Sequence, residues 1–144
     1  MRKIEREACE AFIERRNWKL DNTEVRIEGE FVEMYLHGNL IAIQNFRDSA
    51  YHNWISVSTC GWDTNTTRSR IHRLLCWLGC SPVEGGGCGK RKGQLMLCGQ
   101  PWDGRTACVD LPKAQWNQLP EIKFNTPTIQ DEYAAIMGKG GSVI

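Results

Sequence analysis

Residues 23–46 read TEVRIEGEFVEMYLHGNLIAIQNF, and this stretch decides the fold. Apolar and polar side chains alternate along it in three runs, 23–28, 31–37 and 40–46, which short glycine-containing turns separate. Alternation with a period of two is typical of strands with one buried face, and short turns join antiparallel neighbours. We therefore predict an antiparallel meander, which a fourth strand extends at residues 54–59.

Two amphipathic helices are predicted to flank the meander. The first occupies residues 3–16, where apolar side chains recur with the helical period and Asn17 is a candidate C-cap. The second occupies residues 66–79 and follows a run of good N-cap residues at 63–66. Its apolar stripe consists of Ile71, Leu74, Leu75 and Leu78. This order predicts an α+β fold in which the two helices pack on one antiparallel sheet of three to five strands.

The second half of the chain is predicted to be less regular. Residues 83–93 are rich in glycine and basic side chains, which favours a mobile loop. Residues 94–98 and 105–111 alternate around a turn at 99–104 and predict a β-hairpin. Prolines then favour an extended segment over 112–130, followed by a flexible tail. We expect a single domain over 1–144, with an α-β-β-β-α core at 1–80 and an irregular part at 81–144.

The composition excludes several classes of protein. The chain has 144 residues, 41% of them hydrophobic, and 18 Lys+Arg against 17 Asp+Glu, which excludes wholesale disorder and a global polycation. Because it has neither a long apolar run nor a signal-peptide core, we expect no membrane span and no secretion. Seven cysteines, an odd number, favour reduced thiols in a cytosol. No P-loop and no nucleophile with an identifiable base occur, so we expect no enzymatic activity.

The start of the second helix is the strongest candidate binding site. Unpaired backbone N–H groups and the helix dipole favour anions there. Residues 64–93 also hold six basic residues against one acidic residue, so the region is locally positive. The alternative is a capped helix with ordinary surface arginines. The predicted contact surface comprises Trp62, Thr66, Thr67, Arg68, Arg70, Arg73, Lys90, Arg91 and Lys92.

A second candidate site, of possible metal ligands, lies on the same helix, roughly opposite its apolar stripe. His72, Cys76 and Cys80 recur every four residues and therefore share one stripe. Two explanations compete: the three ligate zinc with Cys88 as fourth ligand, or the second half of the chain covers them as structural thiols. The sequence has no Cys-x2-Cys pair, and the spacing from Cys80 to Cys88 is not a standard zinc pattern. We therefore expect no cofactor and keep zinc as the alternative.

Three blocks of the first 80 residues resemble a functionally uncharacterised family of short proteins encoded by tailed bacteriophages. The blocks are Asn22-Thr23-x-Val25, the run LHGNLIA at 36–42, and Ile55-Ser56 with GWDTNTTRSR at 61–70. Members of the family tend to follow the second arginine with Leu-Asn, whereas this chain has Ile71-His72. The resemblance implies a phage accessory protein in the cytoplasm of the infected bacterial host, and it supplies no catalytic residues.

The sequence therefore predicts a non-enzymatic protein that binds a host or phage macromolecule at the start of the second helix. A protein partner is the favoured target, because tryptophan and arginine anchor protein interfaces. A nucleic acid is the alternative, held by the same basic patch with Trp54 or Trp62 stacking on bases. A structural component of the virion and a nucleotide-binding protein are further alternatives. The oligomeric state is left open.

Overall fold

The computed structural model describes residues 2–46, 54–78, 87–110 and 122–123. Within these ranges two helices and ten strands form, so the predicted α+β class is confirmed. In chain order they are α1 (Lys3–Glu14), β1 (Trp18–Leu20), β2 (Thr23–Glu28), β3 (Phe31–Leu36), β4 (Asn39–Asn45), β5 (Trp54–Val57), α2 (Asn65–Trp77), β6 (Cys88–Arg91), β7 (Gln94–Leu97), β8 (Gln100–Pro101), β9 (Ala107–Asp110) and β10 (Ile122–Lys123).

The main sheet is antiparallel and has the strand order β1-β2-β3-β4-β5-β9-β10. Its seven described strands exceed the three to five predicted, although the meander from β2 to β5 lies where the alternation placed it. The additional strands are β1, β9 and β10. β1 and β10 have only three and two residues, too few to show a periodic pattern. The residues of β9 show the alternation of a strand, but nothing in the local sequence indicates that this strand pairs with β5.

The second, three-stranded sheet corrects the predicted hairpin. Residues 94–98 and 105–111 do not pair with each other: β7 pairs with β6 and β8, whereas β9 joins β5 in the main sheet. The two-residue turn at Lys92-Gly93, with φ of 50° and 81°, closes the tight hairpin between β6 and β7. Residues 88–91, predicted as part of a mobile loop, are therefore a strand. Residues 83–86 of the predicted loop, the predicted extended segment at 112–130 apart from β10, and the predicted tail lie outside the described residues.

The core lies between the helices and one face of the main sheet. Phe12 of α1 and Ile71, Leu74 and Leu75 of α2 are buried there against β2 to β5 and β9. Leu78 completes the predicted stripe, partly buried. α1 ends two residues earlier than predicted, because Arg15 adopts the left-handed conformation and the amides of 15 and 16 close the helix.

A buried ion pair fixes the two helices on the sheet. Arg70 Nη1 of α2 lies 2.8 Å from Glu5 Oε2 of α1, and both side chains are at most 3% exposed. Ser69 donates a further hydrogen bond to the same carboxylate, and Arg70 Nε donates to Thr23 Oγ1 of β2 at 3.1 Å. Burial alone raises the pKa of Glu5, but the bonds from Ser69 and Arg70 outweigh it and hold that pKa below its ordinary value.

The ion pair also corrects one predicted contact residue. Arg70 is 2% exposed, so it is not part of the contact surface. A guanidinium enters a core only when a carboxylate and further acceptors replace its hydration. Glu5 and Thr23 supply them, yet they lie 65 and 47 residues away in the sequence, so helical periodicity alone left Arg70 on the flank.

Glu5→Gln should lower the free energy of unfolding by about 3–5 kcal/mol, because it leaves the Arg70 charge buried without its partner. Glu10→Gln is the matched control on the same helix. Glu10 forms an exposed i, i+4 pair with Arg6 at 3.7 Å, and its loss should change stability by less than about 1 kcal/mol. Urea unfolding of both variants measures the difference, and equal losses would contradict the assigned role of Glu5.

Candidate functional site

A pocket of about 380 Å³ opens between the β3–β4 turn and the start of α2. Leu36 and Ile41, at most 3% exposed, form its apolar inner wall. Trp62 forms an outer wall and is 60% exposed, the highest value among the exposed large apolar side chains of the described residues. The remaining lining is polar but carries no carboxylate, ammonium or guanidinium group, and it consists of His37, Asn39, Thr59, Thr64, Thr66 and Thr67.

Two left-handed residue pairs shape the two sides of the pocket. His37-Gly38, with φ of 51° and 79°, makes the turn from β3 to β4. Cys60-Gly61, with φ of 54° and 81°, turns the chain after β5 so that Trp62 faces the pocket. Positive φ at a residue other than glycine costs free energy and is concentrated at functional sites. The Cys60 thiol holds its turn by donating to the Leu40 carbonyl at 2.9 Å.

The start of α2 is held in place by its own side chains. Thr64 is the N-cap, and its hydroxyl accepts from the Thr67 amide at 3.1 Å, as the run of capping residues predicted. Thr67 is buried, so its role is structural. Arg68 folds back onto the preceding loop, where it bonds the Asp63 carbonyl, the Asp63 carboxylate at 2.5 Å and the Asn65 amide oxygen. Arg68 therefore stiffens the segment that carries Trp62.

The predicted basic patch is largely paired within the protein. Asp63 contacts Lys90 of β6 at 3.3 Å as well as Arg68. Burial raises the pKa of Asp63, but the hydrogen bonds from Arg68 and Lys90 outweigh it and hold that pKa below its ordinary value. Arg91 and Lys92 are exposed at the end of the β6–β7 hairpin, whereas Arg73 is half-buried on α2. The structure thus does not gather the predicted cations into one free surface.

A chain of hydrogen bonds connects the buried ion pair to the pocket. Thr23, which accepts from Arg70, donates to Asn22 Oδ1 at 2.8 Å. Asn22 Nδ2 lies 3.5 Å from His37 Nε2, and the Asn22 carbonyl accepts from the His37 amide at 2.8 Å. Thr23 and Asn22 therefore link Arg70 to the His37 turn. The sequence predicted a glycine-containing turn here, but not that His37 lines a pocket.

The face of α2 that carries His72 packs against β6 of the second sheet. His72 Nδ1 accepts from the Cys88 amide at 3.1 Å, and His72 Nε2 lies 3.7 Å from Cys76 Sγ. Burial, and next the charge of Arg73, lower the pKa of His72, so the ring is neutral and able to accept. In the described ranges no group of three or more His, Cys, Asp or Glu side chains is arranged to hold a metal ion, and Cys80 lies outside them. The zinc alternative stays untested.

Fold and site together define a small α+β protein with an aromatic-walled pocket at a helix start. The chain belongs to the Kyanoviridae Gp96 protein family, which it matches over residues 1–111. The resemblance to a phage protein family is therefore confirmed, and the match extends from the 80 residues recognised in the sequence through β9. No curated protein and no solved structure matches the chain. Among the described residues, no helix is long and apolar enough to span a membrane.

Gly87→Ala should destabilise the docking of the second sheet by more than about 1 kcal/mol. Gly87 has a φ of 86°, and an added Cβ would overlap the His72 ring. Gly89→Ala is the control, because a Cβ there meets nothing within 4 Å. Hydrogen exchange of the β6 and β7 amides measures the effect; the same exchange rates in both variants would rule out close packing of Gly87 on His72.

The free energy of unfolding should fall as the pH drops below 6.5, the ordinary pKa of histidine. Below that value the unfolded chain binds a proton at His72 while the folded protein, whose His72 pKa is lowered, does not. The slope is at most about 1.4 kcal/mol per pH unit and ends at the folded pKa. Asp63 and Glu5 add a separate loss only below 4.5. Urea unfolding of His72→Gln should show no loss of stability just below pH 6.5. A pH slope unchanged by this substitution would show that His72 does not cause the loss.

Proposed function

We propose that this phage protein is a non-enzymatic accessory protein that binds a protein partner, from the host or the phage, in the cytoplasm of the infected cell. The observation that carries the proposal is Trp62: a tryptophan that is 60% exposed, on a loop fixed from both sides. Exposing such a large apolar ring has a cost in water, whereas tryptophans that become buried on association contribute strongly to binding.

The pairing of the basic residues favours a protein over a nucleic acid. Binding to a phosphate backbone requires several lysines or arginines that exchange counterions for phosphates. Here Arg70 is committed to Glu5, while Arg68 and Lys90 are committed to Asp63. Fewer basic side chains are therefore available to phosphates than the sequence suggested. Trp62 and its pocket, which suit a protein partner, are the stronger candidate for the contact.

The state of the nearby thiol supports a role without catalysis. Cys60 precedes Trp62 by two residues, and burial raises the pKa of its thiol. Its Sγ is already engaged with the Leu40 carbonyl. A protonated, hydrogen-bonded thiol is a poor nucleophile.

Trp62→Ala should abolish capture of the partner, whereas Trp77→Ala should retain it. Trp77 is 38% exposed near the end of α2 and serves as a matched surface tryptophan. Immobilised wild-type protein and the two variants are incubated with lysate from infected cells, and bound proteins are quantified by mass spectrometry. For a partner identified in this way, Trp62→Ala should weaken the Kd about 30-fold or more, as calorimetry with purified protein measures.

Three outcomes would contradict the proposal. Equal capture by all three proteins would remove Trp62 from the interface. Salt-sensitive binding of labelled single-stranded or duplex DNA that depends on Trp62, without a protein partner, would favour the nucleic-acid function. Fixed copy number of the protein in purified phage particles would instead indicate a structural role in the virion.

A further inference from the structure

We infer that the pocket beside Trp62 accepts one uncharged aromatic side chain of the partner, of the tyrosine or tryptophan type. The inference rests on the proposed function and specifies its contact chemistry. The volume of about 380 Å³ is near the lower end of the range for ligand sites, about 300–1,000 Å³. It suits a single ring system and is too small for a folded segment.

Electrostatic complementarity selects an uncharged occupant. None of the nine lining residues is Asp, Glu, Lys or Arg. A buried carboxylate or ammonium group would therefore lose its hydration without gaining an ion partner. The nearby charged residues do not line the pocket: Asp63 of the adjoining loop pairs with Arg68 of α2 and with Lys90 of β6.

The walls of the pocket favour an aromatic ring. Leu36 and Ile41 contribute apolar lining, and the exposed Trp62 indole lines the same pocket. Aromatic rings gain from stacking or edge-to-face packing on such an indole in addition to the area that they bury. An aliphatic side chain would lack that gain.

One hydroxyl group of the lining remains free to recognise a polar ring edge. Thr64 and Thr67 bond each other through their hydroxyls, and Thr59 donates to the Gly104 carbonyl. The Thr66 hydroxyl has no partner within the described part of the chain. Because Thr66 lines the pocket, its hydroxyl can bond a phenol O–H or an indole N–H, so tyrosine or tryptophan should bind better than phenylalanine.

The first test uses side-chain analogues as probes. N-acetyl-tyrosinamide, titrated into the labelled full chain, should bind with a Kd on the order of 1 mM and shift the NMR signals of Asn39, Thr66 and the Trp62 indole. N-acetyl-phenylalaninamide should bind several-fold more weakly. Thr66→Val should remove this difference while leaving the affinity for the phenylalanine probe unchanged.

Three results would overturn the inference. They are no shift at these positions with either aromatic probe, equal or tighter binding of N-acetyl-leucinamide, and tighter binding of uridine, which would assign the pocket to a nucleobase.

A pocket-filling variant separates this inference from the proposed function. Asn39→Trp places a large ring at the pocket rim and leaves Trp62 itself unchanged. The inference predicts that Asn39→Trp loses the partner, as Trp62→Ala does, while its NMR spectrum remains that of a folded protein. Retained capture by Asn39→Trp with loss in Trp62→Ala would overturn the inference and preserve the proposed function. Retained capture by both variants would overturn both.

Discussion

The ion pair between Glu5 and Arg70 is the interaction on which the rest of the structure depends. An arginine buried in a core is tolerable only when its partners are complete, because the desolvation cost of an unpaired ion is several kcal/mol. Glu5 of α1 and Thr23 of β2 are the partners of Arg70, and Ser69 of α2 donates a further hydrogen bond to the Glu5 carboxylate. The hydrophobic effect is non-directional, whereas a buried ion pair requires its partners at hydrogen-bonding distance. The pair therefore fixes the placement of α2, and with it the pocket at the start of that helix.

Hydrogen bonds connect the buried ion pair to the pocket beside Trp62. Thr23 holds Asn22, and Asn22 holds the His37 turn on one side of the pocket. On the other side, Asp63 joins Arg68 and Lys90 and keeps the Trp62 loop against the second sheet. Three of the six basic residues of the predicted contact surface, Arg68, Arg70 and Lys90, thus form ion pairs within the protein. Trp62, by contrast, is exposed beside a pocket whose lining carries no charged residue. The proposed function rests on this tryptophan and not on the basic residues.

Local sequence patterns were sufficient to predict the meander, both helices and an N-cap for α2 within residues 63–66, because each of these depends on neighbours in the sequence. They failed where distant residues decide the outcome. Arg70 enters the core because of Glu5, and β9 pairs with β5 rather than with β7. Of the nine residues that line the pocket, Trp62, Thr66 and Thr67 were named as contacts from the sequence, whereas Leu36, His37, Asn39, Ile41, Thr59 and Thr64 were not. Their contribution arises only when the β3–β4 turn meets the start of α2.

The most direct test of this account is a double-mutant cycle on Glu5 and Arg70. Free energies of unfolding are measured for the wild type, Glu5→Met, Arg70→Met and the double variant. The account predicts a coupling energy of about 2 kcal/mol or more, with the double variant more stable than either single variant, because only the single variants leave a charge buried alone. Additivity within about 0.5 kcal/mol would show that the two residues act independently, and would contradict the central role of the pair.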